Sequence, residues 1–307
     1  MLRYSLRRLA QAIPTLFVLV TLAFLMVRAA PGGPFDSERA LPPEVEANLA
    51  AKYHLDEPLA AQYLRYLSDL ARGDLGPSFQ YKDYSVTELI ASGFPVSLEL
   101  GALAMLLALV TGIAAGAGAA LKQGSAADHA LMALAMTGIS VPNFVMAPLL
   151  VLAFAVTLHW LPAGGWTEQG AAALALPVVA LALPQIAYVA RLMRGSLLEV
   201  LGQPWIRTAR AKGLSERAVL FRHALKPALL PVVSYLGPAL AALITGSVVV
   251  ETIFGIPGLG RYFVQGAINR DYTLVVGVVV FYGALIIAAK LLVDLAYGWL
   301  DPRVRLA

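Results

Sequence analysis

Residues 98–121 read LELGALAMLLALVTGIAAGAGAAL, an apolar run whose one charge, Glu99, sits at its outer end. At ~1.5 Å per residue, such a run crosses the ~30 Å hydrocarbon layer as a helix. Five more runs of this kind follow outward from it, at 9–28, 130–158, 171–190, 228–250 and 274–297. Of 307 residues, 59% are hydrophobic and 14% charged, where a soluble domain carries about 25% charged residues. The expected fold is all-α, a polytopic membrane protein with six transmembrane helices.

Flanking charges orient the bundle, because Lys and Arg of short loops stay on the cytoplasmic side. Segments 1–8, 122–129, 191–227 and 298–307 carry 3, 1, 8 and 2 of them. Segments 159–170 and 251–273 carry 0 and 2. Both termini are therefore expected inside. The net charge of +4 lies beside the spans, where lipid headgroups and topology account for it, so no nucleic-acid partner is expected. Arg3, Arg7 and Arg8 precede the first run. That run is too long for the apolar core of a cleaved signal and reads as an uncleaved first helix.

The chain divides into residues 1–28 (cytoplasmic N-terminus and first span), 29–97 (a small helical insertion outside the membrane), 98–297 (a five-helix core) and 298–307 (a cytoplasmic tail). The insertion carries 10 acidic residues. Pro42-Pro43 opens an expected helix over 44–52, and a second from Pro58 to about Ala71 places Leu59, Tyr63, Leu67 and Leu70 on one face. Gly73-Asp74-Leu75-Gly76-Pro77 ends it. Pro142 and Pro148 imply a kinked or broken third span; Pro177, Pro184 and Pro238 interrupt the fourth and fifth.

Several chemistries are excluded. There is no cysteine, hence no disulfide, thiolate metal site or cysteine nucleophile. His54, His129, His159 and His223 have no ligand spacing. No GxxxxGK[ST] loop, HExxH or GxSxG occurs, so this chain is not expected to hydrolyse ATP. Gly112 and Gly116 have the spacing of close helix contact. Lys290 and Asp294 stand four residues apart and can neutralise each other. No chain of midplane carboxylates marks an ion-coupled secondary transporter, and no convergent catalytic set marks a membrane-embedded enzyme.

The basic segment 191–227 reads as two short helices. Pro204 suits a first helical turn, and Trp205-Ile206-Arg207-Thr208-Ala209-Arg210-Ala211-Lys212 follows. Gly213 fits a left-handed stop. Ser215 can cap a second helix, Glu216 suits its first turn, and Pro227 ends it. Small residues ringed by cations suit either a partner's groove or anionic headgroups.

Thr208-Ala209-Arg210-Ala211-Lys212-Gly213-Leu214 and His223-Ala224-Leu225-Lys226-Pro227-Ala228-Leu229 resemble the cytoplasmic EAA coupling loop of importer-type ABC permeases. The form is that of the dipeptide/oligopeptide/nickel branch. Arg207 stands where the general pattern has Glu, and Lys226 separates Leu225 from Pro227. Further stretches resemble the B-type membrane subunit of the oligopeptide branch: Arg7-Arg8 with Ile13-Pro14-Thr15, Ala30-Pro31-Gly32, Lys52-Tyr53-His54-Leu55, Gly73-Asp74-Leu75-Gly76, Trp160-Leu161-Pro162-Ala163-Gly164-Gly165, Glu251-Thr252-Ile253-Phe254-Gly255-Ile256-Pro257-Gly258-Leu259-Gly260 and Asn269-Arg270-Asp271-Tyr272.

The resemblance implies a bacterial inner-membrane importer of oligopeptides. Related permeases also serve dipeptides, glutathione, nickel chelates and oligosaccharides. It implies a second homologous permease, two cytoplasmic ATPase subunits holding ATP and Mg, and a periplasmic peptide-binding protein, with lipid around the spans and no cofactor in this chain. Trp205, Arg207, Thr208, Ala209, Arg210, Ala211, Lys212, Gly213, Leu214 and His223 are the expected coupling residues. Glu251, Phe254, Pro257, Gly258 and Gly260 are the expected periplasmic loop or gate, in a stretch too broken for a plain helix.

Overall fold

The computed structural model describes residues 2–29, 51, 53–166 and 170–300, without the side chains of 2–9, 242, 244–246 and 293–300. The expected helix over 44–52 apart from Ala51, Ala30-Pro31-Gly32, the Asp294 side chain and residues 301–307 of the tail lie outside the described residues.

The elements in order are α1 (Leu2–Ala29), α2 (Leu59–Ala71), α3 (Val86–Leu121), α4 (Ala126–Ser140), α5 (Asn143–Leu150), a π-helical stretch Val151–Thr157, a 3-10 turn Gly170–Leu174, α6 (Ala175–Leu201), α7 (Pro204–Ala211), α8 (Glu216–Ala218), a π-helical stretch Val219–Ala224, α9 (Leu225–Ala228), α10 (Leu230–Phe254), α11 (Leu259–Ile268) and α12 (Tyr272–Leu300). All six apolar runs fall on helix. Among the described residues, four helical stretches are long and apolar enough to cross a membrane unbroken, and up to seven are if each of three helix pairs separated by a short break counts as one.

The chain forms two compact units, one of residues 1–6, 98–256 and 286–307, the other of 7–97 and 257–285. In the first, α6 packs against α4, α5 and α10. Its backbone is reached closely because the opposing residues lack a side chain. A Cβ on Gly116 would overlap the Ala190 carbonyl, one on Gly112 would meet Val189 at 2.8 Å, and one on Gly138 would overlap the Leu183 carbonyl. The GxxxG pair of α3 is thus a packing device against α6. The third span is broken: α4 and the α5 stretch meet at 107°. Pro142 sets this, since it pushes Val141 to an extended conformation (φ −104, ψ 118) and itself starts the next helix.

In the second unit, α2 lies on α1. The Tyr63 hydroxyl bonds Thr21 at 2.6 Å, and Phe24 sits against the Tyr63 and Tyr66 rings at 5.3 and 5.8 Å. Leu67 and Leu70 pack beside Val20, Val276 and Val280. Leu59, expected on this inner face, is exposed; the docking stripe runs through Tyr66 instead, because two large rings reach the first span where Leu59 in the first turn does not. The start of α3 lies 12 residues before the expected span start at 98. A capping box sets it: the Ser85 hydroxyl accepts from the Glu88 N–H at 3.2 Å and the Glu88 carboxylate accepts from the Ser85 N–H at 2.8 Å.

Candidate functional site: the loop between α6 and α10

The loop between α6 and α10 begins as α6 ends. Gln203 is extended (φ −74, ψ 151), and Pro204, lacking an N–H, opens α7. Gly213 closes it with φ +80 and its N–H bonded to the Arg210 carbonyl at 2.9 Å. The Ser215 hydroxyl then caps α8, accepting from the Ala218 N–H. Between them the Arg210 guanidinium holds Glu216 in two hydrogen bonds of 2.9 and 3.1 Å. That pair keeps the Glu216 carboxyl below its ordinary pKa, chiefly through the hydrogen bond. Both side chains are exposed, so the pair orients the turn more than it stabilises it.

Helix α7 has two faces of different character. Ile206 is fully buried and Ala209 is 7% exposed; both pack with Ala120, Met193, Leu197, Val219 and Ala224. The other face carries Trp205, 51% exposed, with Arg207, Thr208, Arg210, Ala211, Lys212 and Gly213 also exposed and Leu214 half-buried. The small residues were expected to allow a partner to approach; Ala209 instead faces this chain's own core, and Ala211 and Gly213 alone are small and outward. His223 is exposed beyond α8, and so is Phe221, 65% exposed, which the sequence reading did not single out. Its signal was an aromatic residue beside Arg222 and His223 in a basic loop.

The second loop helix does not stop at Pro227 as expected. It continues as α8, π-helix and α9, turns at Leu229, and runs on as α10 with a bend of 44°. The wider π turn takes up the geometry ahead of Pro227, and α7 rests on this π stretch.

The base of the loop is fastened by an ion pair that the sequence reading also missed. Arg194 Nε and Nη2 donate to the two Asp128 oxygens at 2.7 Å each, and the Gly124 N–H donates to the same carboxylate at 3.0 Å. Asp128 is 2% exposed. The pair ties the start of α4 to α6 about three turns ahead of α7.

The expected outer-loop residues fall in both units. In the first, Glu251 and Phe254 are buried near the end of α10, Gly255 takes φ +66, and the Ile256 N–H bonds the Glu251 carbonyl at 2.9 Å. This is a helix stop of the Schellman type, with buried Ile256 as its apolar contact. The Phe254 carbonyl also accepts from the Gly165 N–H at 2.9 Å. In the second, Pro257 is exposed while Gly258 and Gly260 are buried. The break is confined to the residues ahead of Leu259, whose N–H is capped by the Ser97 hydroxyl at 2.8 Å; from there α11 is an ordinary helix. Four of the five expected gate residues are buried and form helix ends, so they offer little open surface.

Comparison with known proteins fits this arrangement. Residues 81–306 match the family described as binding-protein-dependent transport system inner membrane component. The chain belongs to that family. It is 57% identical to the oligopeptide transport system permease protein OppB of Salmonella typhimurium over 99% of this chain and 100% of that one. It is 46% identical to the dipeptide transport system permease protein DppB of Bacillus subtilis, over 100% and 99% of the two chains. Among solved structures, a MetNI methionine ABC transporter in inward-facing form matches with TM-score 0.56 at 19% identity, over 69% of this chain and 96% of that one. An amino acid ABC transporter matches with TM-score 0.51 at 21% identity, over 69% and 94%. These structures share the fold over about two thirds of the chain, and residues 191–227 lie within the family match.

Proposed function

We propose that this chain is a membrane subunit of an ATP-driven importer that carries oligopeptides across the bacterial inner membrane. The observation that carries the reading is its 57% identity, across the whole length, to a permease named for oligopeptide transport. The reading has six spans with both termini inside, which places 191–227 in the cytoplasm. ATP and Mg are then held by two separate ATPase subunits, and a second permease and a periplasmic peptide-binding protein complete the assembly.

The loop geometry supports a coupling mechanism. In this reading the exposed rim of α7, from Trp205 to Gly213, sits in a groove of an ATPase subunit. Its buried rim, Ile206 and Ala209, is packed onto α6 and the π stretch. Movement of the ATPases then displaces α7 together with the helices it is packed on, not as a loose loop. Two packings of the core exchanged in this way open the pathway to one side and then the other. Dipeptides, glutathione, nickel chelates and oligosaccharides are alternative cargoes for the same architecture.

Reconstitution of the five-subunit assembly in liposomes tests this. ATP-dependent uptake of tetra-alanine, dependent on the binding protein, is expected. Crosslinks from position 208 that never reach a nucleotide-hydrolysing subunit, or uptake that persists without ATP, would overturn it.

A further inference from the structure

The exposed apolar residues are unevenly placed. On α3, Leu98, Leu103, Leu106, Val110 and Leu121 are exposed, and on α5 and its π extension Phe144, Val145, Leu149, Leu152 and Val156 are. These are lipid-type surfaces. No large apolar residue of α6, nor of α10 before Val249, is exposed among the described residues. The outward positions there are Arg191, Gly195 and Glu199 on α6, and Pro231, Ser234 and Pro238 on α10. Each set recurs every three to four residues and so forms one stripe.

Where these two stripes adjoin, polar and aromatic groups link the helices. The Tyr235 hydroxyl donates to Gln185 Oε1 at 2.9 Å, and the Tyr188 and Tyr235 rings lie 5.6 Å apart. The Arg191 guanidinium stands over the Tyr188 ring, 5.4 Å from its centre. Arg194, one turn on, is committed to Asp128. Arg191 is exposed, with no carboxylate within ion-pair distance among the described residues. Such a face is poorly suited to hydrocarbon, where ionisable and hydrogen-bonding groups turn toward protein or a water-filled path.

We propose that the α6–α10 face bearing Tyr188, Tyr235 and Ser234 is this subunit's wall of the translocation pathway, and that Arg191 at its cytoplasmic end receives the carboxylate of the passing peptide. The proposal rests on the oligopeptide reading and adds to it the residues that meet the cargo. The chemistry fits a variable peptide. Flat rings and backbone-like hydrogen bonders accept many side chains, while the terminal carboxylate, which every free linear peptide carries, matches an unpaired guanidinium. A second permease subunit packed tightly over the face is the competing occupant.

The chain has no cysteine, so single-cysteine variants report cleanly on this subunit. In the assembled transporter, Tyr188→Cys and Ser234→Cys are expected to react with a charged, membrane-impermeant thiol reagent and to be slowed by excess tetra-alanine. Leu106→Cys is expected to stay unreactive. Cysteines at 188 and 234 that react in the isolated subunit but not in the assembly would overturn the proposal in favour of a subunit interface. For Arg191→Gln, the uptake ratio of tetra-alanine to its C-terminal amide is expected to fall about tenfold, the loss of one charge-assisted contact. Arg191→Lys is expected to restore much of it. An unchanged ratio overturns the carboxylate role. If the wild-type assembly imports neither peptide, the oligopeptide reading fails, and the labelling pattern still decides whether this face lines the path.

Discussion

Arg194 grips Asp128 through two hydrogen bonds of 2.7 Å each, joining helices whose contact residues stand 66 positions apart in the chain. The carboxylate is buried, so removing the guanidinium leaves a charge held by the Gly124 N–H alone. Arg194→Ala is expected to destabilise the purified assembly and lower its unfolding temperature, by less than the loss of a fully enclosed pair would. Asp128→Ala combined with Arg194→Ala should recover part of that loss. Thermal unfolding of the four variants forms the cycle, and strict additivity would show that the pair does not couple α4 to α6.

Substitutions in α7 should separate by face. Ala209→Glu buries a carboxylate beside Met193 and Leu197, so low yield of folded subunit is expected, not a folded but uncoupled one. Ala211→Glu sits on the exposed rim and should leave insertion and unfolding temperature unchanged while lowering peptide-stimulated ATP hydrolysis. Equal yields of the two variants would contradict the two-faced helix.

Gly213 is a different test, because its backbone has φ +80 and a Cβ there would meet nothing within 4 Å. Gly213→Asp therefore costs about 1 kcal/mol of conformational strain without a clash. The subunit should still insert, with coupling reduced; Gly213→Asn, which tolerates left-handed geometry better, should be milder. Uptake measured beside ATP hydrolysis distinguishes a loosened loop from a lost subunit.

Trp205 and Phe221 are large and exposed on the same loop. Their replacement by Ala should alter thermal stability by less than about 0.5 kcal/mol. Because aromatic anchors carry much of an interface's energy, each should weaken association with the ATPase subunits by more than about 1 kcal/mol. Sedimentation or pull-down of the detergent-solubilised assembly reads this directly.

In α3, Gly116→Val is expected to abolish stable expression, since its Cβ would enter the Ala190 carbonyl, while Gly118→Ala should be tolerated with Leu131 at 3.6 Å from the new carbon. Membrane levels of the two variants decide it.

Much of this molecule is readable in its residues. Apolar runs locate the helices, because hydrocarbon admits no unsatisfied backbone. Pro142 announces the break in the third span, and Pro204 and Gly213 bracket α7 by local rules that need no tertiary information. The faces of α7 are not legible in the same way. Ala209 looks like a contact residue in sequence, and only the packing of α6 and the π stretch beneath it shows otherwise. The Asp128–Arg194 pair is equally hidden, since nothing local links two residues so distant in the chain. The α3 start could have been found, because Ser85-Val86-Thr87-Glu88 is a capping box. The span pattern masked it, since apolar composition fixes where a helix enters lipid and not where it begins. The stretch 251–260 is legible in part: its glycines do mark a break, with Gly255 at φ +66 and Gly258 at the N-terminus of α11, while the regular helices on either side of the break are not evident from composition alone.

Asp271 is wholly buried, with its carboxylate accepting from the Ser78 hydroxyl, the Gln80 N–H and the Leu274 N–H. It thereby joins two stretches of chain nearly two hundred positions apart. Anyone building hybrids between relatives must exchange residues 73–85 and 265–275 as a pair. Moving either one alone would strand a carboxylate or its donors, and would show up as a failed hybrid even where each parent is sound.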